Sequence, residues 1–169
     1  MILDCEAPVY QFGSPRSRQW AAHRAPGRFT GPYPQSSGID TACIAATAGQ
    51  SISTGIYMMD NQANMDSSGE GSLELTTVCP VGSMIGFSVY PMDVNTGDKV
   101  VITGFNVSQG NVFGNAGYPI QADPDDGSYW IGQAMNAGRQ TYQIQVRVTV
   151  GALRPINYYI NWDPFIVAR

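Results

Sequence analysis

The chain has 169 residues, with 19 glycines and 11 prolines, charged residues at only 13% and a formal net charge of −4. That length suits one domain with a sizeable core, and the glycine and proline content suits short strands joined by tight turns rather than helices. The acidic balance excludes nucleic acid as the main partner, because no basic stripe is there to neutralise phosphates, and no apolar run approaches the ~20 residues of a membrane span.

Residues 1 to 37 differ from the rest of the chain. They carry Arg16, Arg18, Arg24, Arg28 and the sole histidine, His23, against Asp4 and Glu6, a formal balance of +2 where the remainder carries −6. Pro15, Pro26, Pro32 and Pro34 interrupt any regular element, so this segment reads as an irregular, extended N-terminal arm. Tyr10, Phe12, Trp20, Phe29 and Tyr33 would let it dock on its own or a neighbouring subunit. The sandwich domain is expected over 38–169.

Ile39 to Ala46 reads as a short small-residue strand and Gly55 to Met59 as a second. Asn64 to Gly71 is a loop on composition. Ser72 to Val78 alternates, with Leu73 and Leu75 on one face. Met84 to Tyr90 places Ile85, Phe87 and Val89 together. Asn95-Thr96-Gly97-Asp98 is a hairpin-type turn into Lys99 to Phe105. Val112-Phe113 suggests a brief edge strand within a Gly- and Asn-rich stretch. Asp123-Pro124-Asp125-Asp126-Gly127 turns into Tyr129-Trp130-Ile131.

The clearest element is Gln140 to Val150. Tyr142, Ile144, Val146, Val148 and Val150 fall on one side of an extended backbone, and Thr141, Gln143, Gln145, Arg147 and Thr149 on the other. One face therefore meets a core and one meets water. Ile156 to Trp162 repeats the pattern and ends at Asp163-Pro164, because proline cannot donate to a ladder. These elements predict an all-β fold, a two-sheet and mostly antiparallel β-sandwich, with a closed barrel as the alternative.

The close Tyr158-Tyr159-Ile160-Asn161-Trp162-Asp163-Pro164-Phe165-Ile166 resembles the Trp-Asp-Pro-x-Ile ending of the bacterial PixA/AidA inclusion-body family. Three further segments keep that family's order of features. These are Tyr57-Met58-Met59-Asp60-Asn61, Gly69-Glu70-Gly71 running into Leu73-Glu74-Leu75, and Ile102-Thr103-Gly104-Phe105 followed by Gly110-Asn111-Val112-Phe113. The resemblance covers about Ile39 to Val167 and implies a soluble intracellular β-sandwich, often made under quorum-sensing or phase control. Some members form inclusions and some are linked to host interaction. No enzymatic activity and no catalytic residue come with it.

The residues themselves point the same way. A low surface charge leaves hydration to Asn, Gln, Ser, Thr and Tyr and puts little repulsion between copies, so a homo-oligomer is the expected partner. The opening Met-Ile-Leu-Asp-Cys-Glu lacks a basic start, which predicts a cytoplasmic location. Cys5, Cys43 and Cys79 are odd in number and irregularly spaced, and read as free thiols of a reducing compartment. With one histidine, Ser-His-Asp and Cys-His chemistry depends on His23 alone. Asp123, Asp125 and Asp126 carry oxygen ligands but not the spacing of a calcium loop. No metal, cofactor or catalytic residue is assigned.

Two other readings stay open. In one, exposed aromatics form a platform for a carbohydrate or small apolar metabolite, with Trp130 and Tyr159 as the candidates, while Tyr158 and Trp162 belong to the core. In the other, an enzyme has been built on the scaffold from the loop acids Asp60 and Glu70, which a carboxylate pair would place about 5–10 Å apart.

Overall fold

In a computed structural model the described residues are 33–50, 54–62, 65–123 and 125–169, and the side chain of Asp126 is not described. The arm through residue 32, with His23 and four of its five aromatics, lies outside them. Two five-stranded sheets face each other, and the described residues hold one short helix besides. The first sheet holds β1 (Tyr33–Ile39), β2 (Ile56–Asp60), β4 (Met84–Pro91), β6 (Ile120–Asp123) and β7 (Asp126–Gln133) in the order β2-β1-β4-β7-β6. The second holds β3 (Thr76–Cys79), β5 (Lys99–Gln109), β8 (Gly138–Val150), β9 (Ile156–Trp162) and β10 (Phe165–Ala168). All pairings are antiparallel except β1 with β4 and β10 with β3. The fold is the expected all-β sandwich.

The long alternating segment is the keel of the second sheet. β8 runs 13 residues and buries Tyr142, Ile144, Val146 and Val148, as its period of two requires. β5 lies along one edge, with register shifts at Ile102/Gly104 and Val107/Gln109. Such bulges bend a long strand around its partner sheet. The other edge is shared end to end, β10 covering 138–141 and β9 covering 144–150. Asp163-Pro164 ends β9 at Trp162, as expected, and β10 then continues along the same side of β8. Pro164 still accepts a bond from the Tyr142 amide through its carbonyl, which keeps the ladder in step.

Facing aromatics close the core. Phe87 of β4 meets Phe105 of β5 at 4.8 Å and Tyr142 of β8 at 5.7 Å, and Phe113 meets Tyr142 at 5.7 Å edge-on. Edge-to-face and tilted pairs of this kind add to what burial alone contributes.

Five expectations change. The arm does not reach residue 37, because Tyr33–Ile39 is an interior strand paired on both sides. Its residues Tyr-Pro-Gln-Ser-Ser-Gly-Ile show no apolar period, since the buried positions include Gln35 and Ser37. The strand expected over Ile39 to Ala46 is instead the end of β1 and helix α1 (Thr41–Ala46). Asp40 caps that helix, its carboxylate accepting from the Cys43 amide at 2.9 Å. The strand expected from Ser72 starts only at Thr76, because residues 71 and 72 bond to Met58 on the edge of β2. Val112 and Phe113 form no strand. They plug the core from a turn, the Phe113 amide donating to Gln140 Oε1 at 2.9 Å while Val112 O accepts from Met135 and Asn136.

The fifth change concerns the cysteines. Cys79 is a buried free thiol, but Cys43 is disulfide-bonded, and Cys5 lies outside the described residues. The thiol argument for a reducing compartment fails with it. The turn at 95–98 also carries more than a hairpin, since it passes the chain from β4 in one sheet to β5 in the other. No helix among the described residues is long and apolar enough to cross a membrane.

Candidate functional site

Polar groups gather in two places. The first is internal. Tyr142, fully buried, donates to Gln35 Oε1 at 2.5 Å across the two sheets. Asp60, at the end of β2, accepts from Thr77 Oγ1 at 2.5 Å and from the Gln62 amide at 2.8 Å. Cys79 lies in the same region, where burial and then the Asp60 charge push its thiol up to about 11, so it stays protonated and unreactive. Burial likewise pushes the Tyr142 phenol up, with the Gln35 bond opposing. Trp162 donates through Nε1 to Met58 Sδ at 3.0 Å. Each of these groups is turned toward another interior group, an arrangement that fixes the packing of the sheets.

The second place is one end of the sandwich, where α1, the turn before β5 and the turn after β8 meet at Asp98. Its carboxylate accepts from Thr41 Oγ1 at 2.6 Å and from the Gly151 amide at 2.9 Å. Burial pushes the carboxyl up, but the bonds from Thr41, Gly151 and Thr96 outweigh it and hold the group below 3.8. A depressed carboxyl contributes stability that is complete above its unfolded value and lost as pH falls through its folded value. Asp98→Asn should therefore flatten the loss of thermal stability below pH 3.8, and lower the Tm at neutral pH by about 4 °C. Melting curves across an acid pH series check both.

The turns that Asp98 ties together present apolar side chains to solvent. Val94 is 77% exposed, Leu153 97% and Ile156 56%. Beside them β9 exposes Tyr159, at 68%, on the outer face between Asn157 and Asn161 and opposite Arg147 of β8. The aromatic candidates are thus separated. Tyr159 stands on the outer face of the second sheet. Trp130 is half-buried in β7 of the first sheet, its ring 5.4 Å from that of Phe105. Tyr158 and Trp162 pack with the core, as expected. Of the acids, Asp60 is tied inward to Thr77 while Glu70 is exposed on the turn along β2. Asp123 accepts from the Asp125 amide at 2.9 Å, the conformational role expected of such a turn. An open depression of about 300 Å³ is lined by Asn111, Gly114, Asn115, Ala116, Met135 and Asn136.

Sequence reasoning missed Gln35, Thr77 and Asp98. Gln35 and Thr77 gave no signal, because buried polar pairs come from distant segments. Asp98 sits in a turn whose composition already explained it.

The family described as Domain of unknown function (DUF8788) matches residues 39–153. None of the curated proteins matches the chain. Among solved structures, the chain is similar to the crystal structure of the inclusion body protein PixA from Burkholderia cenocepacia J2315. Their TM-score is 0.68 at 17% identity, over 86% of this chain and 100% of that one. At that identity the likeness is one of fold.

Proposed function

We propose that this chain, which belongs to the DUF8788 family, acts through self-association as a non-enzymatic, PixA-like protein. It accumulates as assemblies of folded chains and can present them to a host. Production under quorum-sensing or phase control and a cytoplasmic site belong to the same reading.

The observation that carries it is the end of the sandwich at Val94, Leu153 and Ile156. These three large apolar side chains are exposed at the end where Asp98 binds Thr41 and Gly151. An exposed patch of this kind on a soluble domain marks an interaction surface. The surface around it supports the reading, with only 13% charged residues to keep copies apart. So does the fold shared with a protein that is named for inclusion bodies.

Electron microscopy of cells making the full chain tests the reading. Dense bodies that dissolve without denaturant into folded protein are expected. Protein that stays dispersed at high expression would count against it. The exposed Tyr159 favours a second reading, a sugar-binding face on the second sheet. Saturation-transfer NMR against a set of oligosaccharides, with contact at Tyr159, would support that instead.

A further inference from the structure

The outer strands differ in how their free edges are treated. The far edge of β2 bonds to residues 71 and 72. That of β3 bonds to Ser68 and to the Ser67 hydroxyl. On β5, Tyr118 donates its hydroxyl to Phe105 O. β6 is only four residues long and is broken by a register shift. Shortness, bulges and covering groups are the usual ways of blunting an edge. Among the described residues β9 shows none of them. It runs seven residues in unbroken register with β8, and among the described residues no backbone group bonds to its far side. Gly49 lies against the side chains of Ile160 and Tyr158 and near the Tyr159 carbonyl oxygen.

The sequence of β9 says what fits that edge. Read antiparallel against itself about Tyr159, Ile-Asn-Tyr-Tyr-Ile-Asn-Trp is close to a palindrome. Tyr159 would face Tyr159 of a second copy, Asn157 would face Asn161, Tyr158 would face Ile160, and Ile156 would face Trp162. Amides thus meet amides on the outer face, and apolar side chains meet apolar ones on the inner face. The register also covers Ile156, which is otherwise exposed. From Pro155 to Trp162 the segment has no charge, while Arg154 precedes it and Asp163 follows it.

We infer that the free edge of β9 is a homodimer interface, in which two copies pair antiparallel about Tyr159 and join their second sheets into one. The inference rests on the self-association reading and names its surface. A two-fold contact of this kind is self-complementary and closes at two copies. The apolar end at Val94 and Leu153 is left free for further assembly.

Disulfide trapping on the full chain tests the register. Opposed residues of an antiparallel pair lie about 4.5–5.5 Å apart at Cα, within reach of a disulfide. Tyr159→Cys should therefore crosslink to a covalent dimer under mild oxidation well above the wild-type background, and Asn157→Cys alone should not. A second cysteine variant tests the same register away from its centre. Asn157→Cys combined with Asn161→Cys should crosslink as well, because these two positions face each other across the axis.

A wild-type dimer with no preference for trapping at Tyr159, and no crosslink in the double cysteine variant, would overturn this interface and leave self-association standing. A wild type that is monomeric at every concentration would overturn both. Slowed exchange of β9 amides only when an extended peptide is added would assign the edge to a peptide partner and overturn the second copy.

Discussion

Replacing Tyr142 by alanine is expected to cost about 3–5 kcal/mol, enough to unfold most of the protein at ambient temperature. Tyr142 is fully buried at the centre of β8, and its ring meets those of Phe87, Phe105 and Phe113. Deletion removes the largest fully buried side chain among the described residues and leaves a cavity bounded by both sheets, which rigid strands cannot collapse to fill. Tyr142→Phe separates packing from polarity. It keeps the ring and strands Gln35 Oε1, a loss of about 1–3 kcal/mol. Urea denaturation of both variants checks the order. Equal costs would mean that the hydroxyl, not the ring, holds the sheets together.

Gly117→Ala is expected to be about as damaging, at roughly 3 kcal/mol, although alanine is the smallest possible addition. A Cβ at this position would run into the carbonyl oxygens of Gln133 and Phe113 and into Met135 Cγ. Two of these obstacles are backbone and cannot turn aside. Gly117 also bonds through its amide to Phe113 O and through its carbonyl to the Gln133 amide. The turn that carries the Val112 and Phe113 plug is thereby stitched to the end of β7. Relief of the overlap would pull Phe113 from the aromatic cluster, so the loss should appear as a lower Tm together with altered near-ultraviolet circular dichroism. A Tm within a degree of the wild type would show that the turn has room to move.

How far such features could be read from the chain depends on whether they are local. β8 was legible because one strand with one wet face writes its period directly into Tyr142, Ile144, Val146 and Val148. β1 was not, because an interior strand gains its hydrogen bonds from β2 and β4, and its buried Gln35 and Ser37 look polar until Tyr142 is placed opposite. The signal for α1 was present in Asp40, a capping residue ahead of small helix-compatible residues, and was outweighed by the strand-like Ile39 and Ile44.

The aromatic candidates show the same limit. Trp130 and Tyr159 are alike in sequence context, and only the packing of β7 under Phe105 separates a half-buried ring from one that meets solvent. The end of the sandwich was hidden for a related reason. Asp98 in an Asn-Thr-Gly-Asp turn needs no partner to be explained, yet it binds Thr41 and Gly151 from two other segments.

The measurement that tests self-association most directly is solution mass by light scattering on the full chain across a concentration series. The account predicts a mass that rises from the chain's 18.2 kDa toward twice that value and beyond as concentration increases. A constant mass of one chain at every concentration would contradict it.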